Sequence, residues 1–318
     1  MVAAAYRELA AAAEASVSLL PEPDREMEVS GRVPAGASRE DRIRALERAA
    51  TEIRRRSIQT VGAVGAGHIG GEFSIIDALT ALYLSEMNIS PEQVEAADPE
   101  RDRLVLSKGH AANALYTVLV AGGYVPAKSL RTFLQPESLL NGHPAKTKIK
   151  AVEASTGPLG HGLPIAAGMA MSAKLDGSPR RTFVLLGDGE MQEGSNWEAI
   201  MFAAHQRLGG LVAVLDRNRL QQGARVEDTN SLEPMPEKMR AFGWEVIEVD
   251  GHNFGELLDA FAATPAPSGK PTMIIAHTDK GTPVSYMRDN VAWHHKVPSA
   301  EQVEIALQEL DAILEETN

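Results

Sequence analysis

The sequence predicts an α/β protein: a three-layer sandwich with helices on both faces of a mostly parallel sheet. Two observations carry this. Short apolar runs of strand length alternate with longer stretches of helical periodicity. The segment from Arg181 to Gly223 also spells one complete strand–helix–strand crossover, and a crossover of that length makes its two strands parallel.

In that segment, Thr182 to Leu186 is an apolar run with β-branched and aromatic members, as a buried strand requires. Gly187-Asp188-Gly189 interrupts it. Ser195 or Asn196 then caps a helix whose apolar face is Trp197, Ile200, Met201, Ala204 and Leu208. Gly209-Gly210 ends this helix, and Leu211 to Leu215 forms the second strand, running out at Asp216-Arg217-Asn218. Asp188 and Asn218 thus fall just past the carboxyl ends of neighbouring strands, the edge at which open α/β sheets bind ligands. A carboxylate and a carboxamide there offer hard oxygens. These suit Mg²⁺ or Ca²⁺, and Mg²⁺ completes its shell with phosphate oxygens. A bare Gly-Asp-Gly is an ordinary turn; an asparagine about thirty residues on, after a helix and a second strand, favours a site for a magnesium-bound diphosphate.

The rest of the chain follows in order. Residues 1–37 form an expected arm: an Ala-rich helix from about Ala3 to Val17, then a proline-containing linker. The domain spans residues 38–318. Ser38 with Asp41 caps a long helix carrying Ile43, Leu46, Ala50, Ile53 and Val61, on which Arg54-Arg55-Arg56 reads as a solvated face. Gly62 to Gly71 is a glycine-rich loop, and Ser74 caps the next helix through Met87. Leu104 to Leu106 is a strand leading into Ser107-Lys108-Gly109-His110. Asn141 to Pro144 is a loop, and Ser155 to Gly162 is a second glycine-rich loop before a helix from about Leu163 to Leu175. Gly168 in that helix predicts close packing against a neighbouring backbone. Trp244–Val249 and Met273–Ala276 are further strands, Phe254–Ala263 is a helix, and Ser299 with Gln302 opens a final helix with a capping box.

Composition narrows the function. The chain has 318 residues, 44% of them hydrophobic and 23% charged, with a net charge of −12 and scattered basic residues, which argues against nucleic acid as a partner. It contains no cysteine, which excludes disulfides and thiol chemistry. The first twenty residues lack a basic start and carry Glu8 and Glu14, a poor signal peptide, and no apolar run is of membrane-spanning length. A cytoplasmic enzyme subunit is the expectation. His68, His110, His143 and His161 each lie in a glycine-containing loop rather than an apolar helix stripe, and His294-His295 follow Trp293 in a further predicted loop. Such loops let backbone N–H groups approach an anion, and imidazoles donate hydrogen bonds or relay protons near neutral pH.

These motifs, in this order, resemble those of transketolases, especially the separate amino-terminal subunit of split bacterial transketolases. The resemblance covers about residue 40 to the end. It rests on Gly67-His68-Ile69-Gly70-Gly71, Ser107-Lys108-Gly109-His110, Gly142-His143-Pro144, Thr156 to Gly162, Gly187-Asp188-Gly189 with Gln192-Glu193-Gly194, Asn218, and Val291 to His294. It implies a thiamine diphosphate-binding (PP-type) fold, with thiamine diphosphate and Mg²⁺ (or Ca²⁺) as cofactors. By resemblance, Asp188, Asn218 and the carbonyl of Leu220 hold the metal. His110, Gly157, Pro158, Leu159, Gly187, Asp188, Gly189, Glu190 and Asn218 meet the cofactor. His68, His143 and His294 line the substrate channel, and Glu193 joins an acidic network linking paired active sites. Ile69, His161, His295 and Thr282-Pro283 depart from the family pattern. They leave the metal ligands untouched, fall on loops near the substrate, and fit a specialised pathway.

The glutamate that activates the cofactor belongs, in the family, to a pyrimidine-binding domain outside this pattern. The implied partner is therefore a second subunit carrying the pyrimidine-binding and carboxy-terminal domains, in an α2β2 assembly that transfers a two-carbon ketol unit from a ketose phosphate to an aldehyde. Two alternatives stay open at this point: a chain that decarboxylates a 2-oxo acid and passes on the acyl unit, and a non-catalytic scaffold.

Overall fold

Strands whose every residue is apolar have to be covered on both faces, and the computed structural model shows how. It describes residues 31–34 and 36–317; the expected helix from Ala3 to Val17 lies outside them. Helix α1 (Arg39–Val64) starts at Ser38, whose side chain accepts from the Asp41 N–H as expected, and ends at Gly65 with φ +73°. Next come α2 (Ile69–Phe73), α3 (Ile76–Ala81, prolonged by a wider turn over Leu82–Glu86) and α4 (Pro91–Glu95). Strand β1 (Arg103–Leu106) precedes α5 (Ala112–Ala121), and α6 (Gly162–Asp176) precedes β2 (Thr182–Gly187). Then follow α7 (Gly194–His205), β3 (Leu211–Arg217), a small hairpin of β4 (Leu220–Gln221) and β5 (Ala224–Arg225), α8 (Val226–Thr229) and α9 (Met235–Ala241). The chain closes with β6 (Glu245–Asp250), α10 (Phe254–Ala262), β7 (Thr272–His277) and α11 (Ala300–Glu316), the last opened by the expected capping box of Ser299 and Gln302.

Among the described residues, five strands form a parallel sheet in the order β1-β2-β3-β7-β6. Side chains alternate between two cores, as the pleat demands. Phe183, Leu185, Val212, Val214 and Ile274 face α1, α3, α5, α10 and α11. Val184, Leu186, Ala213, Leu215 and Ile275 face α6, α7 and α9. This is the predicted three-layer sandwich.

Several local expectations are corrected. Arg54 is not solvated: it is buried, and its guanidinium grips the Asp77 carboxylate with bonds of 2.8 and 2.6 Å. The glycine-rich loop before Gly71 is shorter than expected, because α1 continues to Val64 and Ile69 is already helical. Ser74 does not open the next helix, which starts from Ile75; it ends α2, and its hydroxyl donates to Asp216 at 2.8 Å. Neither Ser195 nor Asn196 caps α7, since Ser195 donates to the Gly160 carbonyl and Asn196 to the Glu190 carbonyl. Met201 lies outside the apolar face of α7 and is 59% exposed, whereas Ala199, Ile200 and Ala203 are buried. Among the described residues, nothing packs against Gly168, which faces open space. Residues 31–33 already lie against the domain: the Gly31 and Val33 N–H groups donate to the Ala121 and Leu84 carbonyls, and Arg32 donates to Ile89.

Candidate active site

The carboxyl ends of β1, β3 and β7 converge on one buried carboxylate. Asp216, near the end of β3, accepts from Lys108 Nζ (2.6 Å), Ser74 Oγ (2.8 Å), Asn218 Nδ2 (2.7 Å) and the Thr278 hydroxyl. Burial alone would raise its pKa, but the Lys108 ammonium and these donors win and hold it below the ordinary value. Lys108 is itself 2% exposed and also donates to the Gly71 carbonyl at 2.9 Å. One side chain thereby fixes the loops that follow three strands and the start of a helix.

Asp188 emerges from β2, and its Oδ1 accepts from the Gly189 N–H at 2.8 Å. Its other oxygen faces Arg217 at 3.1 Å and the Arg219 N–H. Arg219 has φ +67°, a left-handed conformation that a side chain adopts only under constraint. Burial and the neighbouring Asp216 charge push Asp188 up to about 6. The Asn218 amide is oriented from both ends: Nδ2 donates to Asp216, and Oδ1 accepts from the Leu220 N–H at 3.0 Å. The Leu220 carbonyl accepts from Lys280 Nζ at 2.9 Å. The Gln221 carboxamide oxygen is buried without a hydrogen-bond partner among the described residues. A Cβ on Gly189 would stand 2.9 Å from the Gln221 Cβ, so the loop after β3 is pressed onto the loop after β2.

Glu190 is buried and acts as a latch. Its carboxylate accepts from the Gly187 and Gly160 N–H groups, each at 3.0 Å, and from the Ser107 hydroxyl. It lines the cleft, and those bonds hold three segments of the chain together.

Three imidazoles stand over this floor. The His68 and His110 ring centroids are 5.2 Å apart, His110 and His294 5.4 Å, and His68 and His294 5.9 Å. Burial, followed by the nearby lysines and histidines, lowers all three: His68 to about 4, His294 to about 3, and His110 well below its usual value. They are neutral near pH 7. Lys280 donates to His294 Nδ1 at 2.9 Å, and an ammonium cannot accept, so the His294 proton sits on Nε2. Burial and the facing Lys108 bring Lys280 down to about 8.

These groups line a cleft of about 370 Å³. It brings together His68, His110, Gly157, Leu159, Gly187, Asp188, Gly189, Glu190, Glu193, Asn218, Leu220 and His294. Two expected residues stand outside its lining. Pro158 is exposed beside it, and His143 is exposed with its ring against Gly157, where a Cβ would come within 3.2 Å. His161 is exposed and turned onto the Leu159 carbonyl at 3.0 Å. Lys108, Lys280, Gln221 and Asp216 were not expected at the site. Lys108 and Lys280 were visible as lysines in glycine-containing segments at strand ends; that both are buried was not.

The donor set fits a diphosphate with a hard divalent cation. A carboxylate, a carboxamide and backbone carbonyls are oxygen ligands for Mg²⁺, and the unpartnered Gln221 oxygen lies beside them. Two buried ammonium groups and glycine-flanked N–H groups suit the anion. The family profile described as transketolase, thiamine diphosphate binding domain, matches residues 45–311.

The chain belongs to that family.

Relatives agree. One of the subunits of an apulose-4-phosphate transketolase from Phocaeicola vulgatus is 41% identical over 273 residues, covering 86% of this chain and 96% of that protein. A 6-deoxy-6-sulfo-D-fructose transketolase subunit of Clostridium sp. is 40% identical over 266 residues, covering 84% and 96%. Human transketolase is 37% identical over 272 residues, but the match is 43% of its length. Among solved structures, the Campylobacter jejuni transketolase superposes with a TM-score of 0.77 at 26% identity, covering 86% of this chain and 45% of that one. A transketolase variant from Pichia stipitis gives 0.77 at 28% identity, covering 83% and 40%. This transketolase domain therefore spans less than half of the solved transketolases it matches. Among the described residues, no helix is long and apolar enough to cross a membrane.

Proposed function

We propose that this transketolase domain is the diphosphate-binding subunit of a two-chain cytoplasmic transferase. With a partner carrying the pyrimidine-binding and carboxy-terminal domains, it moves a two-carbon ketol unit from a ketose phosphate to an aldehyde. The observation that carries this is the cleft: metal-type oxygens and two buried lysines at the strand edge, in a chain that matches separate transketolase subunits over nearly their whole length. None of the relatives described above is a 2-oxo acid decarboxylase, so the alternative reading gains no support.

In this reading Asp188, Asn218 and the Leu220 carbonyl hold Mg²⁺, with Lys280 giving up its bond to that carbonyl or sharing it. Lys108 and Lys280 offset the diphosphate charge. Thiamine diphosphate supplies the electron sink for carbon–carbon bond cleavage. His294 offers its Nε2–H to a substrate oxygen, and neutral His68 is able to accept or donate a proton there. His143 at the Gly157 rim reaches substrate once the cleft is completed, and Glu193 at the start of α7 faces the neighbouring chain.

The outer face of α6 and α7 supports the assembly. Ile165, Leu175, Met201 and Phe202 are exposed there, with Leu175 at 75%, and Gly168 leaves room for a close backbone. Covering that face with a second copy, and the open cleft with the partner, gives two of each chain.

The test is to assay the chain alone and with its partner, supplying thiamine diphosphate, Mg²⁺, and ketose or 2-oxo acid donors. Ketol transfer from ketoses only in the mixture is expected. Robust turnover by the chain alone would overturn the two-chain reading. In the mixture, Asp188→Ala is expected to abolish Mg²⁺-dependent cofactor binding by calorimetry, and unchanged affinity would remove the metal assignment.

A further inference from the structure

A second buried carboxylate stands behind the cleft, outside its lining. Asp77, in α3, takes two N–H groups of the Arg54 guanidinium at 2.8 and 2.6 Å, and its Oδ2 also meets His252 Nδ1 at 2.8 Å. Arg54 and Asp77 expose 6% and 5% of their side chains, and His252 is half-buried. Burial alone would raise the Asp77 pKa; the Arg54 charge and the His252 ring hold it below the ordinary value. Asp77 is therefore ionised near pH 7 and accepts only.

His252 lies in the loop between β6 and α10 and reaches across to the loop after β7. Its Nε2 accepts from the Asp279 backbone N–H at 3.0 Å. A ring nitrogen that accepts carries no proton, so the proton of the neutral ring stands on Nδ1 and is donated to Asp77. The two loops are pressed together. A Cβ on Gly251 would stand 2.4 Å from Thr278 Cγ2, and the Gly251 N–H donates to the His277 carbonyl at 2.8 Å.

Asp279 immediately precedes Lys280. Two residues beyond Lys280, the Thr282 carbonyl accepts from Arg54 Nε at 3.2 Å. The segment 279–282 is thus held at both ends by the two side chains that share Asp77. Between them, the Gly281 N–H donates to the Gly70 carbonyl at 3.0 Å, and the Lys280 carbonyl accepts from the Asp289 N–H at 2.9 Å. From this backbone the Lys280 side chain crosses into the cleft, to the Leu220 carbonyl and to His294 Nδ1, each at 2.9 Å. Arg54 also donates to the Phe73 carbonyl at 3.1 Å, at the end of the helix that His68 opens. Asp77 therefore braces both the His68 wall and the Lys280 wall from behind.

We propose that His252 is a positioning residue for the reaction: by holding the Asp279 N–H it sets where Lys280 stands, and through Lys280 it sets the His294 ring. This rests on the roles given to Lys280 and His294 above. Both ring nitrogens are engaged, but they do different work. The Nδ1–H fixes the ring on Asp77, and Nε2 carries that fixed position to the backbone of the cleft. An N–H that loses its acceptor turns toward water, and the backbone that carries Lys280 turns with it.

Two substitutions separate these bonds. In His252→Asn the side-chain amide stands near the Nδ1 position and keeps the donor to Asp77, with nothing left to accept from Asp279. In His252→Gln the longer side chain brings its carbonyl oxygen to the Nε2 position and keeps that acceptor. In the assembled enzyme, with thiamine diphosphate, Mg²⁺ and a ketose donor, kcat is expected to fall roughly tenfold in His252→Asn with KM for the ketose nearly unchanged, and to be largely restored in His252→Gln. Equal kcat in the two variants, or wild-type kcat in His252→Asn, overturns the proposal. A second measurement needs neither partner nor turnover: histidine-ring NMR of the full chain. His252 is expected as the Nδ1–H form and His294 as the Nε2–H form, with the His294 resonances moving in His252→Asn and staying in place in His252→Gln. An unmoved His294 ring in His252→Asn, or a wild-type His252 ring protonated on Nε2, overturns the link. Failure of the wild-type mixture to transfer any ketol unit counts against the two-chain reading, while the ring resonances still decide the role of His252.

Discussion

Removing the Asp216 carboxylate is expected to damage folding and cofactor binding together. Lys108 and Asp216 form an ion pair at 2.6 Å with side-chain exposures of 2% and 1%, so neither charge has water to fall back on. Asp216→Ala leaves the Lys108 ammonium with one neutral acceptor, the Gly71 carbonyl. Breaking a buried pair from one side costs about 3–5 kcal/mol, because the remaining charge is uncompensated. The hydroxyls of Ser74 and Thr278 also lose an acceptor, which places the expected loss toward the upper part of that range. Lys108→Met/Asp216→Ala removes the stranded charge, so the double variant is expected to be more stable than Asp216→Ala alone. Urea unfolding of the isolated chain measures all three energies. A cost below about 1 kcal/mol for Asp216→Ala, or a double variant no better than the sum of the singles, would refute this account of the hub. The double variant is still expected to bind Mg²⁺ poorly, since the Asn218 amide loses the acceptor that aims its oxygen.

Other expectations follow from the same geometry. His294→Ala is expected to keep most cofactor affinity and lose roughly 10²–10⁴-fold in kcat, as a positioned proton-handling group does; steady-state kinetics alongside calorimetry separates the two. His68 is held at about 4 in the folded chain, whereas the unfolded chain protonates near the ordinary value, so the unfolded state binds the extra proton first. Stability is therefore expected to fall as pH drops from about 6.5 to about 4 and to level off below, with His68→Gln flattening that slope in denaturant titrations. Met201→Asp with Phe202→Ser is expected to leave the chain folded by circular dichroism and to weaken assembly in sedimentation; undiminished assembly would move the interface off the face of α6 and α7.

The sheet was legible because every strand obeys a local rule. Thr182–Gly187 and Leu211–Arg217 are buried at every residue, and an apolar run of that length reads directly as a strand. Asp188 and Asn218 were legible by position, one crossover apart. What escaped the sequence is what depends on contacts distant along the chain. Ser74 and Asp216 are 142 residues apart, and nothing local shows that their side chains meet. Arg54 sits in a run of three arginines that reads as surface, and only its approach to Asp77 makes burial tolerable. Met201 falls at a helical core spacing, yet α7 is rolled so that Ala199 and Ala203 join the expected Ile200 inside and Met201 is left outside.

The order β1-β2-β3-β7-β6 bears on how the protein is made. The strand that pairs with both β3 and β6 is β7, the last to be synthesised. Until residue 277 has left the ribosome, β3 presents an open edge of unpaired N–H and C=O groups, and β6 has no partner in the sheet. Such edges are templates for pairing with other chains. A nascent chain arrested near Lys270 is thus expected to recruit chaperones and to aggregate on release, whereas one released a few tens of residues later closes its sheet. The half of the molecule that builds Asp188 and Asn218 waits, unfinished at its edge, for a strand that carries neither.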